Sequence, residues 1–137
     1  MNIHVQLKLA GALLVVLGLA HGLFGRFFKW NKELAQLSLL TRQIFLVHSF
    51  FIALSVTLMG ACTLFCTEAL LRSGALSRIV LSGFVFFWLA RLTFQLFVYD
   101  SAIWRGQCFY TCMHVVFSAF WTYIVVIYGA ALRFSMQ

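Results

Sequence analysis

The chain has 137 residues, of which 64% are hydrophobic, 18% aromatic and only 9% charged, far from the near-half apolar, quarter-charged balance of a soluble domain. Its formal charge of +7 would suit nucleic acid in a soluble protein. Here Lys and Arg lie mainly in connections and at helix ends, where they orient spans and meet anionic headgroups, so nucleic acid is excluded as a partner and the lipid bilayer is the expected medium.

The first apolar stretch runs from about Val5 to Phe28, interrupted by Gln6, Lys8, His21 and Arg26. It is too long for a signal-peptide core, and no small-residue cleavage site follows it. Gly11, Gly18, Gly22 and Gly25 recur at spacings of seven, four and three, a stripe that lets a neighbouring helix approach closely. A basic, aromatic loop follows (Arg26, Lys29, Trp30, Lys32, Glu33), with room for a short interfacial helix before a second span from about Thr41 to Cys66. Glu68 to Ser77 makes a short polar connection to a third span, about Arg78 to Tyr99. Asp100 to Gly106 then turns the chain into a fourth, about Gln107 to Leu132. Each run is continuously apolar without strand-like alternation, and the chain contains no proline. The expected fold is an all-α integral membrane protein, a single domain over residues 1–137 forming an antiparallel four-transmembrane-helix bundle with short loops.

Basic residues give a weak topological bias. Arg26, Lys29, Lys32, Arg42 and Arg105 lie on the side of the first and third loops, against Lys8, Arg72, Arg78 and Arg133 on the other. This favours loops 1 and 3 in the cytoplasm and both termini outside, in a bacterial inner membrane or another energy-transducing membrane.

The polar residues within the spans carry the functional expectation. At the α-helical rise, His21 lies about 10 Å from the loop end of the first helix and His48 about 10 Å beyond Thr41. On the same membrane side, Arg91 precedes Tyr99 by about 12 Å and His114 follows Gln107 by about 10 Å. Imidazoles and a guanidinium from all four spans thus reach one common depth, where ionisable groups mark function by default. Below them, Arg42, Gln43, Gln95, Tyr99 and Asp100 extend a polar funnel to the surface. Gln95 stands one turn from Arg91, and the two together can hydrogen-bond a carboxylate, a propionate or a quinone carbonyl. The competing reading has Arg91 snorkelling to headgroups or pairing with Asp100.

On the second helix, Thr41, Phe45, His48, Ile52, Ser55, Met59, Cys62 and Cys66 recur at threes and fours, as a bundle-facing seam does. The fourth helix turns Gln107, Thr111 or Tyr110, His114, Ser118, Trp121 and Val125 inward on the same argument. Diagonal helices about 13 Å apart can admit two imidazoles with an iron between them. His48 and His114 are therefore the expected axial pair of a b-type haem. His21, Arg91, Gln95 and Tyr99 would surround it or hold the head of a quinone. A three-histidine copper, zinc or iron site built from His21, His48 and His114 is a lesser alternative. Glu33, Glu68 and Asp100 are all in connections, so carboxylates are too scarce for a di-iron site. His4 belongs near the opposite surface, exposed to solvent.

Cys62 with Cys66 and Cys108 with Cys112 are each spaced by four, which favours buried structural thiols over disulfides, redox pairs or covalent haem attachment. Phosphate-cradling loops, a Ser-His-Asp set and HExxH are absent, which disfavours a hydrolase. In layout alone, with no residue carried across, the chain resembles the small haem-binding membrane anchors of respiratory dehydrogenases. The expected function is a small electron-transfer or quinone-interacting membrane subunit, more a redox or accessory subunit than a stand-alone enzyme. The rival is a non-catalytic subunit packed in a larger membrane complex or homo-oligomer. Phenylalanines turned outward would favour partners, and phenylalanines gathered around His48 and His114 a cofactor.

Overall fold

The computed structural model describes residues 2–27, 30–100, 102 and 106–137. Phe28, Lys29 and Arg105, which end the expected first span and carry part of the loop charge, lie outside the described residues, as does the side chain of Arg26. Six helices follow in order: α1 Ile3–Phe27, α2 Trp30–Leu34, α3 Leu39–Phe65, α4 Thr67–Leu71, α5 Ala75–Phe97 and α6 Cys108–Ser135. The all-α class is as expected, and α1, α3, α5 and α6 are each long and apolar enough to cross a bilayer.

Local chemistry sets several ends. Asn2 Oδ1 accepts the His4 N–H at 3.1 Å, and Ser38 Oγ accepts the Thr41 N–H at 3.3 Å, each satisfying an amide that the first helical turn leaves without a partner. Gly106, at φ 78°, adopts the left-handed backbone that turns the chain into α6 two residues later. α2 supplies the short helix expected in the first connection, with Trp30 edge-on to Phe45 at 4.8 Å. The connection after α3 differs from expectation. It holds α4, whose Thr67, Leu70 and Leu71 are buried, where a polar loop was anticipated. The apolar residues Ala69, Leu70 and Leu71 inside that polar stretch are the physical reason.

The chain divides into two compact units. In the unit Lys8–Cys66, α1 and α3 approach so closely that a Cβ on Gly11 would stand 2.7 Å from Leu64 N, and one on Gly60 2.7 Å from Val15 N. Gly18 faces Thr57 in the same way, whereas Gly22 meets nothing within 4 Å, so only part of the glycine stripe is a packing surface. The buried residues of α3 are Val56, Gly60 and Thr63. The expected seam is therefore displaced by one residue, about 100° around the helix. Phe45, His48, Ile52, Ser55 and Cys66 are exposed, and Met59 and Cys62 half-buried. A face that meets lipid is as apolar as one that meets protein, so periodicity does not separate them, and the small residues decide.

The second unit comprises residues 1–7 and Thr67–Gln137. Phe84 meets Tyr128, Trp88 meets Trp121 and Gln95 meets His114, so α5 and α6 run antiparallel. On α6 the buried face follows expectation at Trp121 and then continues through Ile124, Tyr128, Ala131 and Ser135, while Val125 is half-buried and Gln107, Tyr110 and Thr111 are exposed. Tyr123 donates its hydroxyl to Gln6 Oε1 at 3.0 Å, and His4 meets Glu68 at 3.1 Å and the edge of Phe134 at 6.2 Å. Most intramembrane hydroxyls satisfy themselves on their own helix, Thr93 on Leu89 O and Thr122 on Ser118 O among them.

Candidate functional site in the α5 and α6 seam

Arg91, Gln95, His114, Ser118 and Trp121 form a polar cluster with an aromatic wall. Arg91 and Gln95 are one turn apart on α5, while His114, Ser118 and Trp121 follow at four and three on α6, so each set shares one face. Gln95 is only 6% exposed, and its Nε2 lies 2.9 Å from His114 Nδ1. With the amide nitrogen donating, Nδ1 accepts and the neutral ring carries its hydrogen on Nε2. The Arg91 guanidinium sits 5.0 Å above the Trp121 ring and 5.9 Å from the Tyr99 ring. Trp121 is itself stacked with Trp88, at 5.1 Å, and with Phe117, at 5.8 Å.

Four polar atoms of this seam are buried with no hydrogen-bond partner among the described residues: Arg91 Nη1, Ser118 Oγ, Trp88 Nε1 and Trp121 Nε1. An arginine at the centre of a membrane helix costs about 2.5–3.5 kcal/mol. Its two ring contacts return about 0.5–2 kcal/mol each, enough to approach balance for the charge. They supply no acceptor for Nη1, and a buried donor without one costs about 1–3 kcal/mol more. Asp100 does not supply it. That carboxylate accepts the Ala102 N–H at 2.8 Å, and the one ion pair among the described residues is His4–Glu68.

Gln95 thus meets His114 and Arg91 meets Tyr99, with Arg91 opposite Ser118, one turn from the level of His114. His21 and His48 belong to the other unit. Each places its Nδ1 2.8 Å from the carbonyl four residues earlier, Leu17 O for His21 and Ile44 O for His48. A carbonyl only accepts, so Nδ1 donates and the neutral ring keeps its lone pair on Nε2. Among the described residues, no three His, Cys, Asp or Glu side chains gather to hold a metal ion. In the polar funnel Arg42, Gln43, Tyr99 and Asp100 are exposed and Gln95 alone is buried. His4 keeps its side chain 40% accessible, as a histidine near the surface should, beside Glu68 and the edge of Phe134. The cysteines depart from expectation. Cys66, Cys108 and Cys112 are exposed and Cys62 half-buried, because two lie at the end of α3 and two in the first turns of α6, outside the packed stretches.

Trp88 is the member of the cluster that sequence reasoning missed. It precedes Arg91 by three residues, and that spacing alone puts it on the same face. Beside these residues α6 carries an open groove of about 670 Å³, with His114 and Ser118 in its lining. Compared with known protein families, with characterised proteins and with solved structures, the chain matches none.

Proposed function

We propose that the protein is a small membrane subunit for electron transfer that holds the carbonyl-bearing head of a quinone at the α5/α6 cluster. The observation that carries this reading is the pair of buried donors without partners, Arg91 Nη1 and Ser118 Oγ, in the seam where Gln95 binds His114. Two donors on one seam suit a ligand with acceptor oxygens, and the Trp88, Trp121 and Phe117 stack suits a flat ring. The neutral His114 tautomer set by Gln95 is one that donates to an oxygen. Ligation of haem iron by His114 Nε2 requires the Gln95 amide to be reversed, so that its oxygen accepts from Nδ1–H.

A b-type haem is the second reading, favoured by His48. Its Nδ1–H bond to Ile44 O leaves Nε2 as a lone-pair donor, the arrangement of an axial ligand held by its own backbone. Electrons for the quinone would come from such a haem or from a redox centre of a partner subunit. The outward phenylalanines, Phe50, Phe65, Phe86 and Phe97 among them, suit lipid and a partner subunit alike. We orient loops 1 and 3 to the cytoplasm of an energy-transducing membrane on the basic residues of the first connection.

The test is titration of the protein in nanodiscs with a short-chain benzoquinone. In a Trp30→Phe, Trp104→Phe background, Trp88 and Trp121 alone report binding by fluorescence quenching. Saturable quenching is expected, weakened by about 10- to 150-fold in Arg91→Met, the worth of a hydrogen bond from a charged donor. Unsaturable quenching, or equal affinity in Arg91→Met and Ser118→Ala, overturns the reading. A visible spectrum, oxidised and then dithionite-reduced, tests the haem: a Soret band lost in His48→Ala supports it, and a featureless spectrum of folded protein sinks it.

A further inference from the structure

The groove beside the cluster runs along one face of α6 and is open on its outer side. His114 and Ser118 lie toward one end, Val115 and Ala119 of α6 and Leu96 of α5 make its walls, and Tyr123 lies at the far end. Nine residues separate His114 from Tyr123, about 13 Å at the helical rise. The volume, about 670 Å³, falls within the range of small-molecule sites. Leu96, Val115 and Ala119 are exposed, so the groove faces whatever surrounds the helices, and for a span of this hydropathy that is hydrocarbon. Both hydroxyls at the far end already donate within the protein, Tyr123 to Gln6 and Thr122 to Ser118 O.

We infer that this groove binds the prenyl tail of the quinone whose head sits at Arg91, Gln95, His114 and Ser118, so that the ligand arrives sideways from the bilayer. The inference rests on the quinone reading and adds the ligand class, a long-tailed membrane quinone, and its route. Continuity carries the assignment: His114 and the unpartnered Ser118 hydroxyl line one half of the trough, while the hydroxyls of the other half are engaged, matching a molecule polar at one end only.

The experiment compares two probes, a tail-less dimethoxy-methyl-benzoquinone and the same head with a two-unit prenyl tail, on wild type and Ala119→Phe in identical nanodiscs. Each probe is read as the ratio of wild-type to variant affinity, which cancels partition of the tail into lipid. Ala119 is exposed on the groove wall, so the larger ring fills the trough without entering the core. The tailed quinone is expected to bind Ala119→Phe about tenfold or more weakly, as loss of several buried methylenes implies, while the tail-less quinone binds both alike. Its unchanged binding also shows that the variant is folded. Unchanged binding of both probes would show that a bilayer lipid or nothing fills the groove, overturning the inference while leaving the head site standing. Failure of both quinones to bind wild type would remove the quinone reading and this inference with it.

Discussion

Replacing Gly60 by alanine puts the closest helix approach under test. A Cβ there would stand 2.7 Å from Val15 N, 2.9 Å from Gly11 O and 2.9 Å from Leu14 Cβ. Two of these neighbours are helix backbone and cannot swing aside. Non-bonded carbon contacts settle at about 3.5–4.0 Å, so α1 and α3 must part by about 0.5–1 Å, which forfeits about a quarter to a half of the dispersion well at each contact along the seam. Overpacked sites lose about 1–3 kcal/mol, and the intrinsic helix advantage of alanine over glycine returns about 1 kcal/mol. The steric loss wins, for a net destabilisation of up to about 2 kcal/mol. Gly22, also on α1, is the control: its Cβ would meet nothing within 4 Å. Gly22→Ala therefore keeps only the propensity gain, up to about 1 kcal/mol. Reversible unfolding in mixed micelles titrated with SDS, followed by circular dichroism, ranks the two. If Gly60→Ala is as stable as Gly22→Ala, the close approach does not hold the unit together and the reasoning fails.

Trp121→Ala should cost about 3–5 kcal/mol, since the ring is buried against Trp88 and Phe117 and carries the Arg91 cation. A loss below 1 kcal/mol by the same titration would show that the aromatic stack is not a core element. Tyr123→Phe should lose about 1 kcal/mol, the net worth of one hydrogen bond, and in a double-mutant cycle with Gln6→Leu that loss should vanish; additive losses would mean the two do not interact. Ser38→Ala should cost about 0.5–2 kcal/mol at the start of α3. Hydrogen exchange should then quicken at Thr41, whose amide it caps, and unchanged exchange there would refute the cap.

The amino-acid sequence by itself determined the class and the spans. Continuous apolar runs without proline leave helices as the only way to satisfy backbone groups in hydrocarbon, and the expected boundaries fall within about three residues of α1, α3, α5 and α6. It also picked out Arg91, Gln95 and His114, because ionisable and amide groups inside such runs are rare and one-turn spacing pairs them. Which way α3 turns was decided only by tertiary structure. Its polar stripe through His48 and Ser55 reads as a seam, yet Gly60 and Thr63 are the buried positions. In water, the hydrophobic effect would mark the buried face, but between lipid and a protein interior there is no such contrast. The helix turns instead toward the contact that lets backbones meet, and where Gly60 meets Gly11 depends on the shape of both helices at once.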